Sequence, residues 1–252
     1  MRSWQPLNLV DGAADAPTLL LANSLATTTA MWDRFVPLVA DRFRVVRFDL
    51  PGHGRAANVA GPRAIGDLGE TLLRVLDAFG LDRAHLCGVS IGGMAAMWAA
   101  SHAPERVARL VVCSSAAAIG SPGFWRERAE TVRAGGLGAI DELVLDRWLT
   151  PASSDRAAAR DMLHATDPNA YAAYCQVLAE ADLTPELASI VAPTLVVRGQ
   201  DDPSIGEDQE KVLRSAIAAC RVTVVERAAH LVPFERPEPF ASAVLEHLAG
   251  SV

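Results

Sequence analysis

Short runs of Val, Leu and Ile alternate along the chain with longer stretches in which apolar residues recur every three or four positions. The runs Thr18–Ala22, Arg44–Phe48, Ala84–Val89, Val107–Cys113, Thr194–Arg198 and Val222–Val225 predict strands. Most are apolar nearly throughout, as in strands covered on both faces of a parallel sheet. Ile65, Leu68, Leu72, Val75, Leu76 and Phe79 share one helical face, and Gly80 supplies a stop. Val212, Leu213, Ala216 and Ile217 mark another helix, and Phe240, Val244 and Leu248 a last one. This alternation predicts an α/β architecture, a mostly parallel sheet flanked by helices and joined by right-handed crossovers.

The rhythm breaks once. Between Gly120 and Thr184 there are helical patterns, a Gly135-Gly136 pair and several prolines, but no good strand. An insertion of that kind predicts a helical cap over the strand ends, with residues 120–184 as the cap and 1–119 and 185–252 as the sheet core. Met1–Val10 offers at most one irregular strand before Asp11-Gly12.

Composition narrows the partners. Half of the 252 residues are apolar, so one core is readily supplied, and 23 basic against 30 acidic residues leave a net charge of −7. Lys211 is the one lysine, and no basic block interrupts the chain, which argues against a nucleic-acid or anionic-membrane partner. No apolar run suits a signal peptide or a bilayer span. Cys87, Cys113, Cys175 and Cys220 lie far apart with no metal-ligand spacing, so the expectation is a cytoplasmic protein with reduced thiols and no metal or organic cofactor. Nothing in the pattern specifies an oligomeric state.

Candidate chemistry gathers at strand ends. Gly88-Val89-Ser90-Ile91-Gly92 is a G-x-S-x-G pentapeptide set between an apolar strand and a helix carrying Met94, Met97 and Trp98. That setting puts a serine on a tight turn at a helix N-terminus, where a nucleophile is exposed and developing negative charge is favoured. A serine nucleophile needs a base oriented by an acid, in chain order Ser, Asp or Glu, His. Of the later histidines, His164 falls in the cap and His247 in the last helix, whereas His230 stands in a loop just past a strand. Asp201 and Asp202 both follow the Thr194–Arg198 strand, and spacing alone barely separates them. The Ile91 N–H is one oxyanion donor, and the second is expected from the Asn23–Thr27 loop. His53, in Asp49-Leu-Pro-Gly-His-Gly54, precedes Ser90 and reads as part of a structural turn.

With these residues placed, the chain resembles the α/β-hydrolases over almost its whole length, and within them the 3-oxoadipate enol-lactonases of aromatic catabolism. The resemblance rests on Asn23-Ser24-Leu25, Met31-Trp32-Asp33, Arg47-Phe-Asp-Leu-Pro-Gly-His-Gly54 and His102-Ala-Pro-Glu-Arg106. In the cap it rests on Phe124-Trp125, Glu130-Thr-Val-Arg-Ala-Gly-Gly136 and Arg147-Trp-Leu-Thr-Pro151. Departures are Ala26 where typical members carry Gly, Ile91 where they carry Met, an apolar Leu231-Val-Pro-Phe after His230, and a shortened N-terminal strand pair. The resemblance implies an α/β-hydrolase fold, a Ser90–Asp202–His230 triad and an oxyanion hole of Leu25 and Ile91. The implied reaction opens a small lactone through an acyl-enzyme. Its substrate is an anion, so the acidic chain must supply a local cation, for which Arg133 is the candidate, with Trp125 and Trp148 as apolar walls. The expectation is also that the fused decarboxylase of some relatives is absent. Rival readings are a carboxylesterase or lactonase for another small ester, including haloperoxidase-like members, and a non-catalytic receptor built on the same fold.

Overall fold

The computed structural model of the protein describes residues 8–249. Among these, seven strands form one sheet in the order β1-β3-β2-β4-β5-β6-β7. The strands are β1 (Asn8–Asp11), β2 (Thr18–Ala22), β3 (Arg44–Phe48), β4 (Ala84–Val89), β5 (Val107–Cys113), β6 (Thr194–Gly199) and β7 (Cys220–Val225). Only β1 runs antiparallel, against β3, and every other pairing is parallel. The expected parallel sheet is therefore present. The irregular N-terminal strand is β1, while residues 1–7 of that expectation lie outside the described residues.

Burial explains which runs became strands. Every residue of β2 is buried, as are all but one of β5, so their continuous apolar character matches a sheet covered on both faces. On the edge strand β7 only Val225 is buried. That is why its start at Cys220-Arg221 carries no apolar signal and the sequence pattern begins two residues late.

Helix α1 (Ile65–Ala78) turns Leu68, Leu72, Val75 and Leu76 to the core. Its first turn is capped by the Asp67 carboxylate, which accepts from the backbone N–H groups of Arg63 and Ala64. It ends where Gly80 adopts φ 62°, allowing the Leu81 N–H to bond the Leu76 carbonyl at 3.0 Å. Helix α2 (Ile91–His102) follows β4 directly, α7 (Glu207–Ala216) links β6 to β7, and α8 (Val232–Glu235) and α9 (Pro237–Ala249) close the chain. Between β5 and β6 run α3 (Pro122–Gly135), α4 (Asp141–Trp148), α5 (Arg156–His164) and α6 (Pro168–Glu180), with no strand in the interval.

Three histidines sit inside this framework. The His53 ring is fully buried, and loss of hydration lowers its pKa to about 4. Burial also lowers His85 and His247 to about 4, with repulsion from Arg109 as the second cause in each. In the unfolded chain these rings titrate near 6.5. Below that pH the unfolded state binds protons that the folded state refuses, so stability present above pH 6.5 is lost as the pH falls toward 4. His53 alone accounts for roughly 3 kcal/mol of this. Urea unfolding midpoints should fall steadily between pH 7 and pH 4, and a flat profile would show that these rings are not held neutral by the fold.

Candidate active site

Ser90 occupies the residue between β4 and α2 with φ 56° and ψ −121°, a left-handed conformation for a residue with a Cβ. The surrounding backbone over-determines it. The Ser90 N–H donates to the Cys113 carbonyl at 2.9 Å, and its own carbonyl accepts from the Ser115 hydroxyl at 2.6 Å and the Met94 N–H at 3.0 Å. The flanking glycines are there for space. A Cβ on Gly88 would stand 2.2 Å from the Gly92 carbonyl oxygen, and one on Gly92 would stand 2.4 Å from that of Ala22. The start of α2 thereby meets the end of β2, from which the Asn23–Thr27 loop departs.

His230 and Asp202 arrive from the loops after β7 and β6. Both are buried, and the His230 Nδ1 lies 2.9 Å from the Asp202 Oδ2. The other carboxylate oxygen accepts from the backbone N–H groups of Ser204 at 2.8 Å and Ile205 at 3.2 Å. Burial on its own would raise this carboxyl. The charge and hydrogen bond of His230, with the two backbone donors, outweigh burial and hold it below the usual carboxylate range. Because Nδ1 faces the carboxylate, Nε2 is the nitrogen left toward the cavity, the orientation a general base for a serine requires. Asp201 is exposed, and its N–H bonds the Ala228 carbonyl at 2.9 Å. The geometry thus separates the two aspartates that spacing left unresolved.

Ser90, His230 and Leu25 line one cavity of about 250 Å³ between the strand ends and the interval 120–184. Neither the Leu25 nor the Ile91 N–H has a protein acceptor among the described residues. Both are available as oxyanion donors. The Leu25 loop is held on either side: the Asn23 amide bonds the Phe48 carbonyl and accepts from the Trp32 indole, and the Thr29 N–H bonds Asp49. The His230 loop is tied down through Glu235. One of its oxygens accepts from the Ala229 N–H at 2.9 Å, and the other takes the Thr150 N–H at 2.8 Å and hydroxyl at 2.6 Å.

Trp125 and Trp148 both line the cavity, but Arg133 does not. It is exposed and belongs to an outer depression with Arg126 and Glu130. The reason is helical phase: Arg133 follows Arg128 by five positions, a rotation of ~140° around α3. The cations on the cavity wall are Arg128 and Arg147. Arg128 is only 5% exposed, donates from Nη1 to the Tyr171 hydroxyl at 3.2 Å, and has no partner at Nη2 among the described residues. Arg147 reaches the Ser204 hydroxyl at 3.3 Å. Both guanidinium carbons sit over the Phe124 ring, at 4.9 and 4.8 Å. Neither forms an ion pair with a carboxylate among the described residues, and Arg147 is lowered by burial and then by repulsion from Arg128. The i, i+3 spacing of Trp125 and Arg128 was the signal that marks the inner face of α3.

Residues 19–243 match the α/β hydrolase family. The chain belongs to that family. As an α/β hydrolase it is 34% identical to 3-oxoadipate enol-lactonase 2 of Acinetobacter baylyi over 92% of this chain and 89% of that one. Its fold superposes on the enol-lactonase from Burkholderia xenovorans LB400 with a TM-score of 0.92 at 34% identity, covering 96% of each chain. A thermophilic esterase from Thermogutta terrifontis, solved with malate bound, gives a TM-score of 0.88 at 28% identity over 96% of this chain and 92% of that one. Other relatives near 28% identity are named as putative carbamate hydrolases and as esterases.

Two substitutions check the geometry. Asp202→Asn should lower hydrolytic kcat by ~10³–10⁴-fold through loss of the correct His230 tautomer, while Asp201→Asn stays near wild type. The reverse ranking would contradict the assignment. Ala26 holds φ 60°, so Ala26→Gly should raise unfolding stability by about 1 kcal/mol. A measured loss would show that this turn is not strained.

Proposed function

We propose that this α/β hydrolase is a serine ester hydrolase whose substrate is a small lactone carrying a free carboxylate, of the 3-oxoadipate enol-lactone type. The observation that supports an acidic over a neutral ester is the pair of guanidinium groups on the cavity wall that form no ion pair among the described residues, Arg128 with Nη2 unpartnered there and Arg147 beside it. A buried cation without a carboxylate is costly, and a substrate anion removes that cost. The similarity to two enol-lactonases agrees with this reading, as does a relative solved with the dicarboxylate malate. Residues 120–184 act as the cap that closes the small cavity and carries both arginines.

In the reaction the substrate carboxylate meets Arg128 and Arg147, while its ring lies against Trp125, Trp148 and Phe124. Ser90 Oγ attacks the lactone carbonyl carbon as His230 Nε2 accepts the hydroxyl proton. The carbonyl oxygen takes the negative charge and is met by the Leu25 and Ile91 N–H groups. Collapse breaks the ring C–O bond. The departing enolate receives the proton from His230 and ketonises, leaving an acyl group on Ser90. His230 then removes a proton from water, which attacks the acyl carbon and releases a dicarboxylate with Ser90 restored.

The decisive comparison is turnover of 3-oxoadipate enol-lactone against neutral esters of similar size. Arg128→Met should raise KM for the acidic lactone by ~10–100-fold, the worth of a charge-assisted hydrogen bond, and leave KM for neutral esters unchanged. The same variant should unfold at a higher temperature, since it removes an uncompensated buried charge. Faster turnover of neutral esters, with Arg128→Met indifferent to substrate charge, would defeat the acidic-lactone reading.

A further inference from the structure

His53 lies in the turn after β3, its ring fully enclosed and outside the lining of the cavity. Its Nε2 is 2.8 Å from the backbone nitrogen of Ala26, and its Nδ1 is 2.9 Å from the Pro51 carbonyl oxygen. A backbone N–H can only donate and a carbonyl oxygen can only accept. Both contacts are satisfied by one state alone, a neutral ring with its proton on Nδ1 and its lone pair on Nε2.

The ring is fixed from its other sides. The Tyr174 ring meets it edge-on with centroids 4.9 Å apart. The turn itself is stitched to the segment before α6: the Gly54 N–H donates to the Ala165 carbonyl at 2.8 Å, the Asp167 N–H donates to the Gly52 carbonyl at 2.8 Å, and His53 bridges Thr166. The imidazole is a rigid post set against a loop.

What the post touches is the peptide adjacent to Leu25. The Ala26 N–H belongs to the Leu25–Ala26 peptide, and Ala26 itself holds the left-handed φ of 60°. The bonds at Asn23 and Thr29 secure the ends of the loop, whereas the bond to His53 acts at its middle. We propose that His53 is a positioning residue whose Nε2 lone pair clamps the Leu25–Ala26 peptide and so orients the Leu25 N–H toward the oxygen of the carbonyl attacked by Ser90. This rests on the reading of Leu25 and Ile91 as the oxyanion hole. It gives a motif otherwise assigned to a structural turn a part in transition-state stabilisation, exerted through the Leu25–Ala26 peptide. A donor displaced by a fraction of an ångström loses most of its effect on the barrier while substrate binding is scarcely altered.

The wild-type enzyme offers the first test. Nitrogen-15 NMR of histidine-labelled protein at pH 7 should show His53 neutral with its proton on Nδ1, and a proton on Nε2 would overturn the proposal whatever the variants do. The second test compares His53→Gln and His53→Asn on p-nitrophenyl acetate, with Ser90→Ala as control. Gln Oε1 can stand where Nε2 stands, but Asn is too short. His53→Asn should lower kcat by ~10–100-fold with KM within about 2-fold. Its affinity for a boronic acid that forms a tetrahedral adduct with Ser90 should fall by the same factor. His53→Gln should recover most of both. Wild-type kcat in His53→Asn, a parallel loss of substrate affinity, or no advantage of Gln over Asn would each refute the positioning role. Full activity in Ser90→Ala would instead show that the active-site reading itself has failed.

Discussion

The site depends on one crowded turn. At Ser90 the chain passes from strand to helix through a conformation that costs a residue with a Cβ about 1–3 kcal/mol, and close packing and hydrogen bonds hold it there. Gly88 packs on the Gly92 carbonyl and Gly92 packs on the Ala22 carbonyl, both too close for any side chain. The Cys113 carbonyl and the Ser115 hydroxyl grip the Ser90 peptide on both sides. Three neighbouring strands, β2, β4 and β5, thereby meet at one residue. The Ser90 hydroxyl stands over the strand ends, and the first N–H of α2 has no protein partner among the described residues. Strain here is the means by which a sheet presents a side chain and a backbone donor to the same small space.

The loops that complete the site are held by polar contacts with the inserted helices. Glu235 joins the His230 loop to Thr150, and the Leu231 N–H donates to the Trp148 carbonyl at 3.0 Å. The His53 turn joins the Leu25 loop to the segment before α6. Tyr171, on that same helix, holds Arg128. The residues that shape the cavity's charge and those that shape its chemistry therefore share supports. Helix α6 reaches the arginine through a side chain and lies beside the turn that carries His53. The acidity of the chain as a whole is beside the point. What matters is that two guanidinium groups face the cavity with no ion-paired carboxylate among the described residues, in a protein with 30 acidic residues available to supply one.

Much of this was legible in the sequence because backbone and chemistry coincide there. Gly88, Ser90 and Gly92 show both the turn and the candidate nucleophile, and His230 follows a strand in a loop. The strands were readable because β2, β4, β5 and β6 are buried on both faces, and the pattern faded only at the edge, where β7 begins with Cys220 and Arg221. Asp201 and Asp202 differ by one residue, and what distinguishes them is which carboxylate turns inward to His230, a matter of tertiary folding. Arg133 shows the same limit. An arginine in the inserted helices is plain in the sequence, but which face of α3 meets the cavity depends on how that helix docks. The His53 contact is hidden for another reason: it joins residues 26 and 53 through a ring nitrogen and a backbone N–H, and no spacing rule marks such a pair.

On the proposed reading, Ser90, alone among the serines near the cavity, attacks a carbonyl or an equivalent electrophile. Treatment with a fluorophosphonate followed by peptide mass spectrometry tests this most directly. A single adduct is expected, located on Ser90 and abolished by His230→Ala. An adduct on Ser24, Ser114, Ser115 or Ser204, or none on Ser90 in folded protein, would contradict it.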